Sequence, residues 1–226
     1  MIPLRDTVKS RSFPIVNTTI IILNILIFFG ESSLTDMELS ELFYRFGLIP
    51  SWFLYTVEMG GYVEAVIPMI TSIFLHGGWL HIISNMLFLW VFGDNVEDKV
   101  GHFRYIFFYL TVGVVANIAQ IMASPGSAVP IIGASGAVAG VLGAYYISFP
   151  RAKVLALIPI FFFFTLMEVR ASLFIVFWFV LQVFNGVFSL TAVGNSVAWW
   201  AHIGGFLGGF ILIRFFQKQQ KLIYLE

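Results

Sequence analysis

Apolar residues fill most of this chain in long runs, separated by short polar stretches. The runs lack the polar face that a surface helix keeps, so they read as helices apolar on most sides, suited to lipid. Six runs predict helices over about 14–29, 80–92, 103–123, 135–149, 171–188 and 198–216. A full span takes about 20 apolar residues. The second run can borrow from its flanks, whereas the fourth is short enough that the bilayer would thin around it. Residues 30–72 make a long first loop that carries Glu31, Asp36, Glu38, Glu41, Glu58 and Glu64. In 150–170 the apolar stretch 154–164 is interrupted by Pro159 and preceded by Pro150. With Arg151 and Lys153 on one flank and Glu168 and Arg170 on the other, it reads as an interfacial segment or long loop with both flanks on one side, not as a seventh span.

Composition agrees with that pattern. The 226 residues are 59% hydrophobic and 11% charged, with mean hydropathy +0.93; soluble domains are about 45–50% apolar and about 25% charged. The expected fold is an all-α polytopic membrane protein, a six-transmembrane-helix bundle with a long outer first loop. The 26 Phe and 20 Gly fit bulk toward lipid and small residues where helices touch. The absence of cysteine excludes disulfides, a thiol nucleophile and thiolate metal sites. Residues 1–13 are basic but lack a cleavage site after a short apolar core, so they read as an arm, not a removable signal. Residues 14–216 are then the membrane domain and 217–226 a tail.

Net charge is zero, but its distribution orients the chain. Arg5, Lys9 and Arg11 precede the first helix, Lys99 and Arg104 lie between the second and third, and Arg151 and Lys153 follow the fourth. Arg170 precedes the fifth, and Arg214, Lys218 and Lys221 close the chain; Arg45 alone falls on the other side. Positive charge on the cytoplasmic side puts both termini there. Helices two, four and six then begin at the outer face. The setting expected is a prokaryotic cytoplasmic membrane.

The polar residues in those first turns carry the candidate chemistry, because polar groups inside a membrane are costly and usually functional. Ser135 opens the fourth helix within Gly133-Ala134-Ser135-Gly136, and His202 lies early in the sixth within Ala201-His202-Ile203-Gly204-Gly205. A serine hydroxyl becomes a nucleophile when a base takes its proton. Gly136, Gly140 and Gly143 line one stripe of the fourth helix, and Gly204, Gly205, Gly208 and Gly209 make two overlapping small-residue spacings on the sixth. Such stripes let backbones approach closely. Tight packing explains the glycines but leaves the histidine unexplained. His81 and Asn85 share a face of the second helix as i and i+4, and with the Ser135 backbone N–H could form an oxyanion hole. His76 reads as interfacial in preference to a residue standing behind the site, and His102 has no assigned role. With no acid in the outer halves of these helices, the reading is a Ser-His dyad without a third member. No metal and no cofactor is called for.

Gly-Ala-Ser-Gly, the His81/Asn85 pair, Ala-His-Ile-Gly-Gly and the run Phe74-Leu75-His76-Gly77-Gly78-Trp79-Leu80-His81 together resemble the rhomboid family of intramembrane serine proteases. The resemblance implies a six-helix bundle with a water-filled cavity open to the outside, Ser135 as nucleophile, His202 as base, and His81, Asn85 and the Ser135 N–H at the oxyanion. It implies membrane-protein substrates, single-span or polytopic, cut in the bilayer near the outer ends of their spans, and no nucleic acid. Two positions depart from the pattern. Ile67-Pro68 stands where some relatives carry Trp-Arg, and Ala139 where some carry a tyrosine stacked on the histidine, so Trp199, Trp200 or Tyr145 is expected to orient His202. The Phe-rich fifth helix lacks paired glycines and, with loop 189–197 and its Gly194, Asn195 and Ser196, suggests a gate. Competing readings are a non-proteolytic rhomboid-like client-binding protein, which would lack the dyad, and a transporter, which would show inverted repeats.

Overall fold

The computed structural model describes residues 1–160, 163–190 and 197–217. Six of its helices sit on the six apolar runs: α1 (Ile15–Glu31), α5 (Trp79–Val100), α6 (His102–Ala123), α7 (Ser135–Ser148), α8 (Ala171–Ser189) and α9 (Trp199–Phe216). The first loop is itself helical, with α2 (Asp36–Phe46), α3 (Pro50–Glu58) and α4 (Tyr62–Thr71). Its α2 starts at a capping box, in which Thr35 Oγ1 accepts the Glu38 N–H and Glu38 accepts the Thr35 N–H. Among the described residues, α6, α8 and α9 are long and apolar enough to cross a membrane. Residues Tyr62–Phe74 and Trp79–Val100, which meet at an 85° bend, make a fourth if they form one span. The protein is an integral membrane protein. The short α7 is buried along all of residues 136–145 and forms the centre of the bundle.

Two expectations need correction. The fold is not all-α, and residues 150–170 are not an irregular loop. They form a hairpin, β2 (Lys153–Ile160) and β3 (Phe163–Arg170), which joins β1 (Ile2–Asp6) in an antiparallel sheet of order β1-β2-β3. Val154, Ile158, Thr165 and Val169 are β-branched and favour this state. Pro159 is tolerated because β1 pairs only with Val154 to Leu157, so the missing N–H falls beyond that ladder. The hairpin returns on itself, so Lys153 lies opposite Arg170 and its ammonium is 3.7 Å from Glu168.

The second helix also runs on to Val100, past the end of its apolar run at Phe92, because its polar residues find partners there. Glu97 is fully buried and accepts the backbone N–H groups of Val16 (3.0 Å) and Asn17 (2.6 Å). These are donors that the first turn of α1 would otherwise leave unpaired. His102 bonds the same carboxylate. Asn17 in turn donates to the Leu89 carbonyl at 3.0 Å and accepts from the Tyr105 hydroxyl at 2.8 Å. At the same end of the bundle Asp6 accepts from Asn95 at 3.0 Å and from the Tyr145 hydroxyl, which ties the sheet to α5 and α7. Burial pushes the Asp6 pKa above the ordinary carboxylate value, and the Tyr145 bond opposes that shift.

The two small-residue spacings on α9 serve two different partners. A Cβ on Gly205 would overlap the Gly136 carbonyl oxygen, and one on Gly209 the Gly140 carbonyl oxygen. Gly143 on α7 answers the Phe206 carbonyl in the same way. These are backbone-on-backbone contacts between α7 and α9. Gly204 and Gly208 instead face α6, against Ala119 and Val115. Gly136 and Gly140 also take Ala116 and Val112 of α6 against their Cα atoms.

Backbone cannot yield as a side chain can, which predicts a difference between neighbouring glycines. Gly209→Ala should cost about 3 kcal/mol or more of stability, whereas Gly208→Ala, facing a Val115 methyl at 2.9 Å, should cost about 1 kcal/mol. Thermal unfolding of the two purified variants in detergent checks this; equal losses would mean that α9 does not rest on α7 through Gly209.

Candidate functional site

The chain enters α7 through Gly133, whose φ of +121° is rare for any residue with a Cβ. The Gly133 N–H is held by the Ser72 carbonyl at 2.8 Å, and a Cβ here would strike the His81 ring. Glycine therefore meets a conformational and a steric demand at once. Ser135 is the first residue of α7, so its backbone N–H has no partner within the helix.

His202 is buried in the first turn of α9, and its Nε2 is 2.8 Å from Ser135 Oγ. Its Nδ1 is 2.8 Å from Oε1 of Gln182 on α8. The amide nitrogen of Gln182 donates to the Trp178 carbonyl at 3.1 Å, which turns Oε1 toward the imidazole. Nδ1 must then carry the proton, leaving Nε2 as an acceptor for the Ser135 hydroxyl. Trp178 (6.1 Å between centroids) and Trp199 (5.9 Å, edge-on) flank the ring.

Opposite this pair, His81 Nδ1 accepts the Gly77 N–H at 3.4 Å, so the His81 proton sits on Nε2, the edge that faces Gly133. The Asn85 side chain is 5% exposed and its Nδ2 has no hydrogen-bond partner, which leaves a free donor. Ser135, His202, His81, Asn85 and Gln182 all line one cavity of about 640 Å³, capped by Ser40, Phe43 and Tyr44 of α2. An acceptor of a hydroxyl proton thus faces a hydroxyl, with unsatisfied N–H donors nearby. Such an arrangement can generate an alkoxide-like nucleophile and hold a developing negative charge.

The family model of the rhomboid domain matches residues 63–219, well over half of the chain. The chain belongs to the rhomboid family. It is 32% identical over 121 residues to Rhomboid-like protein 11, chloroplastic, of Arabidopsis thaliana, covering 54% of this chain and 38% of that protein. It is 32% identical over 143 residues to Rhomboid protease GluP of Bacillus subtilis, covering 63% and 24%, and 32% identical over 105 residues to Rhomboid protein 1, mitochondrial, of Saccharomyces cerevisiae, covering 45% and 30%. The chain therefore spans well under half the length of these relatives. They come from a chloroplast, a bacterium and a mitochondrion, so the likeness selects no compartment.

Two rhomboid departures can be placed. Pro68 lies inside α4, with Ile67 exposed beside it, and Ala139 is fully buried in α7. Of the three residues expected to orient His202 in the absence of a tyrosine at 139, Trp199 touches its ring, whereas the Tyr145 hydroxyl bonds Asp6 at the far end of α7. No contact of Trp200 with His202 is seen. Gln182 was missed, although a polar side chain in the apolar run of α8 carries the same signal that singled out His202. His76 is buried beside the site: it is 1% exposed, both ring nitrogens lack partners among the described residues, and its ring stands edge-on to His81 at 5.1 Å. Its backbone N–H donates to the buried Glu31 carboxylate, a long-range partner that no local pattern reveals. Among the described residues no group of His, Asp and Glu could hold a metal ion.

Gly133→Ala should lower the unfolding temperature and separate Ser135 from His202, because both the positive φ and the His81 ring oppose a Cβ. The expected cost is about 2 kcal/mol or more. Ala134→Gly, one residue along, should cost less than half of that; a Gly133→Ala protein as stable as the wild type would show that this turn is not constrained.

Proposed function

We propose that this rhomboid is an intramembrane serine endopeptidase acting through an acyl-enzyme, with Ser135 as nucleophile and His202 as base. The observation that carries this reading is the 2.8 Å contact between Ser135 Oγ and the acceptor nitrogen of His202 at the wall of a cavity. The Ser135 hydroxyl passes its proton to His202 Nε2 while Oγ bonds to the scissile carbonyl carbon. The carbonyl oxygen becomes an oxyanion, which receives hydrogen bonds from the Ser135 N–H, His81 Nε2–H and Asn85 Nδ2–H. His202 then returns the proton to the leaving nitrogen as the C–N bond breaks. Water entering by the cavity gives a proton to His202 Nε2 and bonds to the acyl carbon; the C–Oγ bond then breaks, the acid product leaves, and His202 returns the proton to Ser135 Oγ.

The substrates are membrane-spanning segments of other proteins, single-span or polytopic, cut near their outer ends. In this reading α1, α5 to α9 all cross the bilayer, both termini are cytoplasmic, and the cavity opens to the outside of a prokaryotic cytoplasmic membrane. Entry is lateral, past α8, whose apolar window is 28% buried against 39% for α6 and 44% for α9. The lid expected at 189–197, with Gly194, Asn195 and Ser196, falls on residues 191–196, which lie outside the described residues. Substrates with Gly or Pro in the outer part of the span are preferred, because a helix unwinds there at lower cost.

The test is reconstitution with a panel of single-span substrates. Ser135→Ala and His202→Ala should each lose at least about 10³-fold in kcat, and the double variant should be little worse, because the two act as a unit. Substantial cleavage by either single variant would sink the dyad.

Asn85→Ala should lower kcat by about 10²-fold while KM changes little, since its donor acts on the oxyanion. His81→Ala should do the same to a smaller extent, with its ring also supporting the Gly133 turn. If both variants kept the wild-type kcat, these side chains would belong to packing and not to the reaction.

A further inference from the structure

We infer that Gln182 is a positioning residue for the dyad, fixing the tautomer and orientation of His202 from the neighbouring helix α8. The inference rests on the dyad reading above. A histidine that is to take a proton through Nε2 must hold its own proton on Nδ1 and keep its ring turned toward the serine. In a serine-histidine pair without a carboxylate, some other acceptor has to do this. Gln182 Oε1 lies 2.8 Å from Nδ1, and among the described residues no other hydrogen bond to that nitrogen is seen. The amide cannot be turned round without loss, since its Nε2 donates to the Trp178 carbonyl one turn back on the same helix. Reversal would set an N–H against Nδ1–H and a carbonyl oxygen against a carbonyl oxygen. The acceptor is thus polarised in one direction by the backbone of α8. Gln182 is itself 6% exposed, so its amide is satisfied by these partners and not by solvent.

The choice of an amide has a physical reason. A carboxylate at this depth would have to be desolvated whenever His202 is neutral, which is its state for most of the cycle. A neutral amide orients the ring without that cost, and gains strength only when His202 becomes an imidazolium in the transition state. Gln182 therefore acts on kcat and not on substrate binding. Its location on α8 adds a consequence. Displacement of α8 by an entering substrate would loosen the base until the helix closes again.

The experiment uses the full chain in detergent with histidine labelled by ¹⁵N, the His202 signals being those lost in His202→Ala. The wild type should show Nδ1 protonated and Nε2 bare. In Gln182→Leu the proton should redistribute to Nε2, and kcat should fall about tenfold with KM unchanged, the loss of one hydrogen bond that strengthens in the transition state. Gln182→Glu, whose carboxyl in its neutral form keeps an acceptor toward Nδ1 and a donor toward the Trp178 carbonyl, should hold the Nδ1–H tautomer and recover kcat to within about threefold of wild type. Gln182→Met, the closest apolar match in shape, replaces the leucine variant if that protein does not fold. An unchanged tautomer in the leucine or methionine variant would overturn the inference. So would equal loss of kcat in the glutamate and apolar variants, which would make Gln182 a packing residue between α8 and α9. Failure of the dyad itself would appear elsewhere, as cleavage by Ser135→Ala, and the tautomer of His202 would still be readable.

Discussion

The structure depends on two stretches of backbone that meet without side chains between them. Gly205 and Gly209 of α9 lie directly against the carbonyl oxygens of Gly136 and Gly140 on α7. A methyl group at either α9 position would have to push a whole helix aside. This contact brings together the starts of two helices that are 67 residues apart in sequence at Ser135 and His202, and leaves 2.8 Å between hydroxyl and imidazole. In lipid there is no hydrophobic gain from pairing two apolar helices, so dispersion at close range and cross-helix hydrogen bonds have to hold them. Close range requires glycine. The same requirement explains why α7 can be short: it is wrapped by α6, α9 and α5 and is buried from Gly136 to Tyr145.

The polar groups around that contact differ at its two ends. Between Ser135 and its partners the hydrogen bonds run between neutral groups, serine, imidazole and the amide of Gln182, with an unpaired amide on Asn85, while the Glu31 carboxyl stands behind His81 and takes the His76 N–H. At the Tyr145 end carboxylates are used. Glu97 caps the start of α1, and Asp6 joins the sheet to α5 and α7. The three-stranded sheet closes that end of the bundle, while the cavity opens at the other.

The sequence carried the helices well because apolarity alone defines them, and the starts of α5, α7, α8 and α9 fall within a residue of expectation. It carried the geometry of Ser135 and His202 because costly polar residues in apolar runs are visible one by one. It did not carry the sheet: β2 pairs on one side with β3 and on the other with residues 2–6, a partner far away in sequence and too short to show a period of its own. The end of α5 was missed for a related reason. Asp94, Asn95 and Glu97 look like the close of a membrane helix, and only their contacts with Asp6, Val16 and Asn17 show why the helix continues. The glycines of α9 were legible as a packing face, but not that one stripe serves α6 and the other α7. Gln182 was legible and overlooked, masked by the aromatic residues that surround it.

The proposed activation of the Ser135 hydroxyl, which the α7–α9 contact supports, is open to covalent trapping. The purified protein is treated with a fluorophosphonate, which reacts with activated serines, and the modified residue is located by peptide mass spectrometry. A single adduct on Ser135 that disappears in His202→Ala is expected. An adduct on another serine, or undiminished labelling of Ser135 without His202, would contradict it.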